Sequence, residues 1–314
     1  MYVHALNSVS FDIYENSTLG LVGESGSGKT TTARTILRVH EPDSGRLFFN
    51  LPDEGVSDEH DFFKYDRTRL KKERTGMQYI FQDPYLALNP KMEIGDIITE
   101  PASSAKKMTR AEREELAKHL LDIVGITSAS ISKFPHEFSG GQRQRISIAR
   151  SISVNPKLII CDEPVSSLDV SIQSQILNLL IELQKESGIS YLFIAHNLAV
   201  VFYMSDFVAV MYAGRIVEYS SSRELYDNPL HPYTQLLRSV VPEIGKGKKI
   251  YDKKAQGEVP SLVNLPPGCP FYNRCVKRIE GTCDKILPPL VKVSDNGGPS
   301  GHLCACHAVQ RISL

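Results

Sequence analysis

The chain has 314 residues, 36 Lys plus Arg against 36 Asp plus Glu, and is 41% hydrophobic and 23% charged. This length predicts one large domain with an appendage, and the balanced charge excludes a global field favouring nucleic acid or an anionic membrane surface. The longest apolar runs, such as "LIICDEP" and "SYLFIAH", are too short to span a bilayer.

No basic and apolar leader opens the sequence, so secretion is not expected. The six cysteines are therefore expected as reduced thiols or metal ligands rather than disulfides. Short β-branched runs alternate with longer helical patterns, which predicts an α/β core. "STLGLVG" is expected as a buried strand feeding a helix over "GKTTTARTILRV". Residues 51–76 are polar with no clean period, and predict a surface excursion before the strand "MQYIF". Thr109 and Glu112 form a capping-box pattern for a helix that Gly125 would end. "GGQRQRISIARSI" predicts a helix with its glycines at the N-terminal end, and "KLIICDEP" a strand. "DVSIQSQILNLLIELQKES" predicts a helix closed by Gly188, followed by the strand "SYLFIAH". "DFVAVMYAGRIVEY" predicts a hairpin turning at Ala213–Gly214. From Pro242 the texture changes to a Gly/Lys-rich linker and then a Pro- and Cys-rich tail, and there is no internal repeat. Lys246, Lys248, Lys249, Lys253 and Lys254 are expected as a solvated linker, the alternative being contact with anionic headgroups.

Gly23, Glu24, Ser25, Gly26, Ser27, Gly28, Lys29 and Thr30 spell "GESGSGKT", with Thr31 beside them at the start of the helix. This is the P-loop pattern in its required context, between a predicted strand and a helix. Glycines let successive backbone N–H groups curl around phosphate oxygens, and the helix N-terminus adds partial positive charge. Lys29 would reach the β- and γ-phosphates of ATP, and the Thr30 hydroxyl would ligate Mg²⁺. Downstream, an apolar strand ends in Asp162 and Glu163, a buried acid pair that is costly unless it serves a cation or a reaction. Asp162 would hold Mg²⁺ through water, and Glu163 would polarise the attacking water. The bland alternative is an acidic cap on the following helix, against which Pro164 and the intervening loop argue.

"SGGQRQR", from Ser139 through Gly140, Gly141 and Gln142 to Arg145, resembles the signature loop of ATP-binding-cassette (ABC) ATPases. "FQDP" with Gln82, "SSLD" with Asp169 and "IAHN" with His196 stand in that family's order. The resemblance implies an α/β P-loop NTPase fold: an ABC ATPase core with a RecA-like lobe, an antiparallel β subdomain and an inserted α-helical lobe at about 83–155. It implies that Gln82 senses Mg²⁺ and the γ-phosphate, Asp169 crosses a dimer interface and His196 holds the γ-phosphate. Ser139 of one subunit would close on nucleotide held by a second ABC ATPase subunit, a copy or a sibling. "DPYLALNPKMEIGDIITEP", "VAVMYAGRIVEY" and above all "NPLHPYTQLLRSVVP" resemble ATP-binding subunits of oligopeptide/dipeptide importers. That implies a nucleotide-binding domain over residues 1–241 and a linker with a C-terminal extension over 242–314. It further implies integral-membrane permease partners, an extracytoplasmic solute-binding protein reached indirectly, no nucleic acid, and a peripheral place on the cytoplasmic face of the cell membrane. His231 is expected as an exposed turn residue, diagnostic of the subfamily rather than catalytic. The family's adenine-stacking aromatic lies well before the P-loop; Tyr2 is the candidate here, though its spacing suits an ordinary exposed aromatic.

The tail from about Val259 has too few residues, and too much Pro and Gly, for its own core, so a staple is expected. Cys269, Cys275 and Cys283 are spaced more widely than the close pair usual for zinc, while His302 and His307 keep Zn²⁺ as an alternative. All-thiolate ligation suits an iron–sulfur cluster. The tail also resembles the extension of some peptide-importer ATPases, which implies a [4Fe–4S] cluster on Cys269, Cys275, Cys283 and Cys306. Cys304 would be spare, and Cys161 a small buried strand residue. Two rival readings of the whole chain are a soluble ABC ATPase acting on DNA or ribosomes and a non-transport P-loop kinase. The cargo stays open among peptides, sugars, nickel chelates and glutathione.

Overall fold

The computed structural model describes residues 3–50, 57–241, 261–263 and 265–310; Tyr2 and the linker lysines lie outside them. Along the chain, β1 (Thr18–Val22) is followed by α1 (Lys29–Ile36), α2 (Arg67–Glu73) and β2 (Met77–Ile80). Helices α3 (Pro84–Ala87), α4 (Ile94–Ala105), α5 (Arg110–Ile123) and α6 (Gly140–Ile152) lead to β3 (Leu158–Asp162) and α7 (Val170–Ser187). Next come β4 (Ser190–Ala195), α8 (Leu198–Met204), β5 (Phe207–Tyr212) and β6 (Arg215–Ser221). They are followed by α9 (Ser222–Asp227) and α10 (Pro232–Ser239). The tail adds β7 (Val291–Ser294), β8 (His302–Cys304) and α11 (His307–Gln310). The chain divides into two compact units, one of residues 1–13, 18–32 and 193–314 and the other of 14–17 and 33–192.

In the second of these units, β2 pairs in parallel with β3, from Met77 opposite Leu158 to Ile80 opposite Cys161. Every residue of β3 is buried, which explains its unbroken apolar run. The α5 boundary is the one its sequence predicts. Glu112 N–H donates to Thr109 Oγ1 at 3.3 Å while Thr109 N–H donates to Glu112 Oε2 at 2.7 Å. Gly125 ends the helix at φ +71°, where a Cβ would be strained. Ile94, Ile97 and Ile98 of α4, Leu120 and Leu121 of α5 and Ile146 of α6 are buried, so these three helices share a core.

The polar stretch after residue 56 differs from the expected surface excursion. Phe62 is fully buried, and the Asp61 carboxylate accepts from Leu47 N–H and Phe63 N–H, each at 3.1 Å. Phe62, the neighbouring buried Tyr65 and one buried acid hold this segment, too few to create a periodic pattern.

In the first unit, β1 runs parallel to β5, and β5 turns back into β6 through Ala213 (φ +47°) and Gly214 (φ +77°). That pair of positive φ values is the tight hairpin turn expected at those residues. β6 then pairs antiparallel with β8, and β8 with β7. The cysteine-bearing tail thus adds two strands to an existing sheet rather than needing a core of its own. Helix α8 falls in the apolar run "LAVVFYM", where no periodicity separates helix from strand. It lies close against β1: a Cβ on Gly20 would stand 2.4 Å from Ser205 Oγ and 2.4 Å from Val201 Cγ1.

A buried polar network ties α10 to the sheet. Glu218 of β6 is fully buried; its carboxylate accepts from Leu230 N–H at 2.7 Å and His231 N–H at 2.9 Å. Its Oε1 also lies 2.7 Å from His302 Nε2. His231 is 1% exposed, which corrects the expectation of an exposed turn residue. It caps α10, its Nδ1 accepting from Tyr233 N–H at 3.1 Å. Acting as an acceptor requires the neutral ring, and burial lowers its pKa from 6.5 to about 4 despite the adjacent Glu218 charge.

Two outcomes follow. Gly20→Val should destabilise the protein by about 1–3 kcal/mol through overpacking, read from denaturant unfolding. For His231, the unfolded chain binds the proton first, so its contribution is complete above about 6.5 and is lost as pH falls towards about 4. His231→Asn keeps a capping acceptor that does not titrate, and should flatten the decline in unfolding midpoint across that window.

Candidate functional site

The loop from Gly23 to Thr30 leaves β1 and enters α1. Gly26 (φ +78°) and Gly28 (φ +106°) take the left-handed conformations that let the backbone curl. Around Gly26 a Cβ would meet nothing within 4 Å, whereas at Gly23 it would strike Met211 O at 2.2 Å. The loop is thus packed on its sheet side and open at its bend. Lys29 is 6% exposed, and its Nζ donates to Gly23 O at 2.7 Å and Glu24 O at 3.0 Å. Ser27 Oγ is buried without a hydrogen-bonding partner among the described residues. An orphaned hydroxyl beside a buried ammonium and an N-terminal helix turn fits a phosphate-bearing ligand.

Glu24 has further partners in the same unit. Its N–H donates to Tyr233 Oη at 2.8 Å, and its carboxylate takes a two-pronged salt bridge from Arg274, at 2.6 and 2.9 Å. His196, in the same unit, follows β4 and is exposed; the next residue, Asn197, caps α8 through Ala199 N–H at 3.0 Å.

The other residues expected at the nucleotide site lie in the second unit. Asp162 ends β3 and is 4% exposed, with the Tyr79 hydroxyl donating to its Oδ2 at 2.6 Å. Burial first, and that carboxylate second, push the Tyr79 hydroxyl well above its ordinary pKa, so it stays a donor. Asp162 offers the hard oxygen donor that Mg²⁺ takes. Glu163 follows at φ +49°, a strained conformation for a residue with a side chain. Gln82 Nε2 donates to its Oε2 at 3.0 Å, so the structure brings Gln82 and Glu163 together as a pair.

Ser139 caps α6: Gln142 N–H donates to its Oγ at 3.3 Å, and its own N–H donates to Gln142 Oε1 at 3.0 Å. Ser139 and Gly140 are exposed, leaving the start of α6 presented to solvent. Gly141 has a packing reason, since a Cβ there would stand 2.5 Å from Ile172 Cγ2 on α7. Asp169 caps α7, accepting from Ser171 Oγ at 2.6 Å and Ile172 N–H at 3.0 Å, and these bonds hold its carboxyl below the ordinary range.

In the tail, burial pushes the Cys269 thiol up to about 12, with Cys275, Cys283 and Cys306 adding to the rise. Burial likewise raises Cys275 and Cys306, and each feels neighbouring thiols. Cys269, Cys275, Cys283 and Cys306 therefore sit within electrostatic reach of one another. Cys269 N–H donates to Cys283 O at 2.7 Å, and Ile279 N–H donates to Cys283 Sγ at 3.4 Å. Even so, among the described residues no group of three or more His, Cys, Asp or Glu is placed to hold a metal ion. The two histidines of the zinc alternative each have one ring nitrogen engaged. His302 is engaged by Glu218, and His307 Nε2 lies 3.0 Å from Ile286 O. Cys304 is fully buried on β8, and Cys161 on β3.

Tyr79, Tyr233 and Arg274 escaped sequence reasoning. The "HPY" segment carried a signal for Tyr233, but nothing in the spacing of the tail marks Arg274 as a partner of the loop.

Residues 6–166 match the ABC transporter family, and residues 217–283 match the oligopeptide/dipeptide transporter C-terminal region. The chain is 45% identical to the oligopeptide transport ATP-binding protein AppF of Bacillus subtilis (strain 168), over 97% of this chain and 89% of that protein. It is 41% identical to the dipeptide transport ATP-binding protein DppF of Escherichia coli (strain K12), over 98% and 88%. Among solved structures, the ATP-binding cassette MJ0796 in a dimeric post-hydrolysis state bound to ADP and Pi matches with a TM-score of 0.61. That match has 26% identity and covers 70% of this chain and 91% of that one. CbiO1 from Clostridium perfringens, part of the ABC transporter complex cbiONQ, matches with a TM-score of 0.62 and 28% identity, over 71% and 84%. The chain belongs to the ABC transporter family, in the branch that carries the oligopeptide/dipeptide transporter C-terminal region.

Proposed function

We propose that this chain is the ATP-hydrolysing subunit that powers an importer of oligopeptides or dipeptides. What carries the reading is the pairing of both family matches with relatives named as peptide-transport ATP-binding proteins. In it, Gly23, Ser25, Gly26, Ser27, Gly28, Lys29, Thr30 and Thr31 cradle the phosphates. Thr30, Gln82 and Asp162 would hold Mg²⁺, which would supply charge neutralisation for the phosphates. Glu163 accepts the proton of the attacking water, Gln82 orients that carboxylate, and His196 donates to the γ-phosphate. The orphaned Ser27 Oγ and the 3.0 Å Gln82–Glu163 bond support these roles.

Ser139, Gly140, Gly141 and Gln142 serve nucleotide held by a second ATPase subunit, with Asp169 at that interface. The exposure of Ser139, Gly140, Gln142 and Asp169 at the start of α6 and α7 supports this. No described helix is long and apolar enough to cross a membrane, so the pathway is assigned to separate permease subunits. Phe81 (45% exposed), Tyr85 (58%) and Leu86 (82%) flank Gln82, and supply an apolar surface for a permease to grip at the cytoplasmic face. An external solute-binding protein acts through the permease alone.

Glu163→Gln should leave ATP binding intact and cut turnover by roughly 10²–10⁴, the range for losing a positioned base. His196→Ala should likewise spare binding while slowing hydrolysis in steady-state assays. Near-normal turnover in the Glu163 variant would remove its role.

In the tail, Cys269, Cys275, Cys283 and Cys306 would hold a [4Fe–4S] cluster. Support comes from Cys275, Cys283 and Cys306 all acting electrostatically on the Cys269 thiol, and from the Ile279 amide donating to the Cys283 sulfur. When bound, the cluster supplies cross-links that fold the tail. Anaerobically purified protein should absorb broadly at about 400 nm and hold about four irons per chain. Cys275→Ser should lose the colour and Cys304→Ser keep it; stoichiometric zinc in colourless protein would overturn the assignment.

A further inference from the structure

The cysteine-bearing segment does more than pack against the sheet. Arg274 stands immediately before Cys275, and its guanidinium reaches Glu24 inside the phosphate loop. Nη1 donates to Oε2 at 2.6 Å and Nη2 to Oε1 at 2.9 Å, the parallel two-bond geometry that gives the firmest carboxylate recognition. The arginine side chain is 8% exposed and that of the glutamate 30%, so solvent screens the pair only in part. The guanidinium also lies 5.8 Å from the Tyr212 ring centroid and 5.7 Å from that of Phe271. Tyr212, Tyr233 and Phe271 pack on one another with centroids 4.6–5.4 Å apart. Glu24 is therefore gripped at three points: its N–H by Tyr233, its carbonyl by Lys29 and its carboxylate by Arg274.

An acid in a loop that binds a polyanion is unfavourable unless its charge is cancelled. We propose that Arg274 is a positioning residue for nucleotide: it neutralises and pins Glu24, making the cysteine-rich tail a structural support of the phosphate cradle. Without the guanidinium, an uncompensated carboxylate stands beside the phosphates, and Glu24 loses one of the three groups that grip it. The charge term is the testable part, because removing Glu24's own charge should undo it. The proposal rests on Gly23–Thr30 being the nucleotide cradle.

The test is ATP affinity of the full chain by calorimetry, with thermal melts confirming folding. Arg274→Ala should raise Kd about tenfold, the size of an uncompensated, partly screened charge, while kcat at saturating ATP stays within about threefold. Adding Glu24→Gln to Arg274→Ala should restore Kd to within about threefold of the unaltered chain. A structural defect in the tail would not be repaired by that second change. Should Arg274→Ala fail to fold, Arg274→Gln keeps the bulk and carries the same expectation and the same rescue. Unchanged affinity in the Arg274 variants, or failure of Glu24→Gln to rescue, overturns the proposal, provided Lys29→Ala still weakens binding. Unchanged affinity in Lys29→Ala would instead overturn the cradle reading beneath it.

Discussion

The site depends on one constraint: a loop that turns backbone N–H groups towards an anion must have its other groups held elsewhere. Lys29 draws in the carbonyls of Gly23 and Glu24, Tyr233 takes the Glu24 amide, and Arg274 holds the Glu24 side chain. Each anchor is in turn fixed. Tyr233 sits on α10, whose cap is the buried neutral His231, itself bonded through its amide to buried Glu218. Glu218 lies on β6, to which the tail adds β8, carrying His302 back to the same carboxylate. A chain of short polar contacts therefore runs from the tail strands to the loop. Such networks are costly when half satisfied and rigid when complete.

The second unit applies a different device. Three of its expected site residues are helix caps or strand ends: Ser139 before α6, Asp169 before α7, Asp162 at the end of β3. A cap is where backbone polarity is left over, so the group that closes a helix also stands where an anion or a partner chain can be met. Glu163 shows the cost of such placement. Its left-handed backbone is retained beside the Gln82 hydrogen bond, as strain commonly is where geometry serves chemistry.

Much of this was legible in the residues because local rules and tertiary packing agree. The strands "TLGLV" and "LIICD" are buried throughout, and Thr109–Glu112, Gly125 and Gly188 mark helix ends as their chemistry requires. The phosphate loop was legible because its glycines have no cheaper explanation. What was not legible depends on distance along the chain. Arg274 lies 250 residues from Glu24, and no periodicity links them. His231 looks like a turn residue until its burial is known, and Phe62 hides in a polar stretch because it and Tyr65 alone make no pattern. By its own composition the tail lacks a core, whereas strand pairing with β6 lets it borrow one.

Hydrogen exchange of backbone amides, compared with and without Mg²⁺ and a non-hydrolysable ATP analogue, tests the central claim most directly. The account predicts added protection concentrated on Ser25 to Thr31, where the loop presents its amides to phosphate. Unchanged exchange across that loop, with protection appearing elsewhere in the chain, would contradict it.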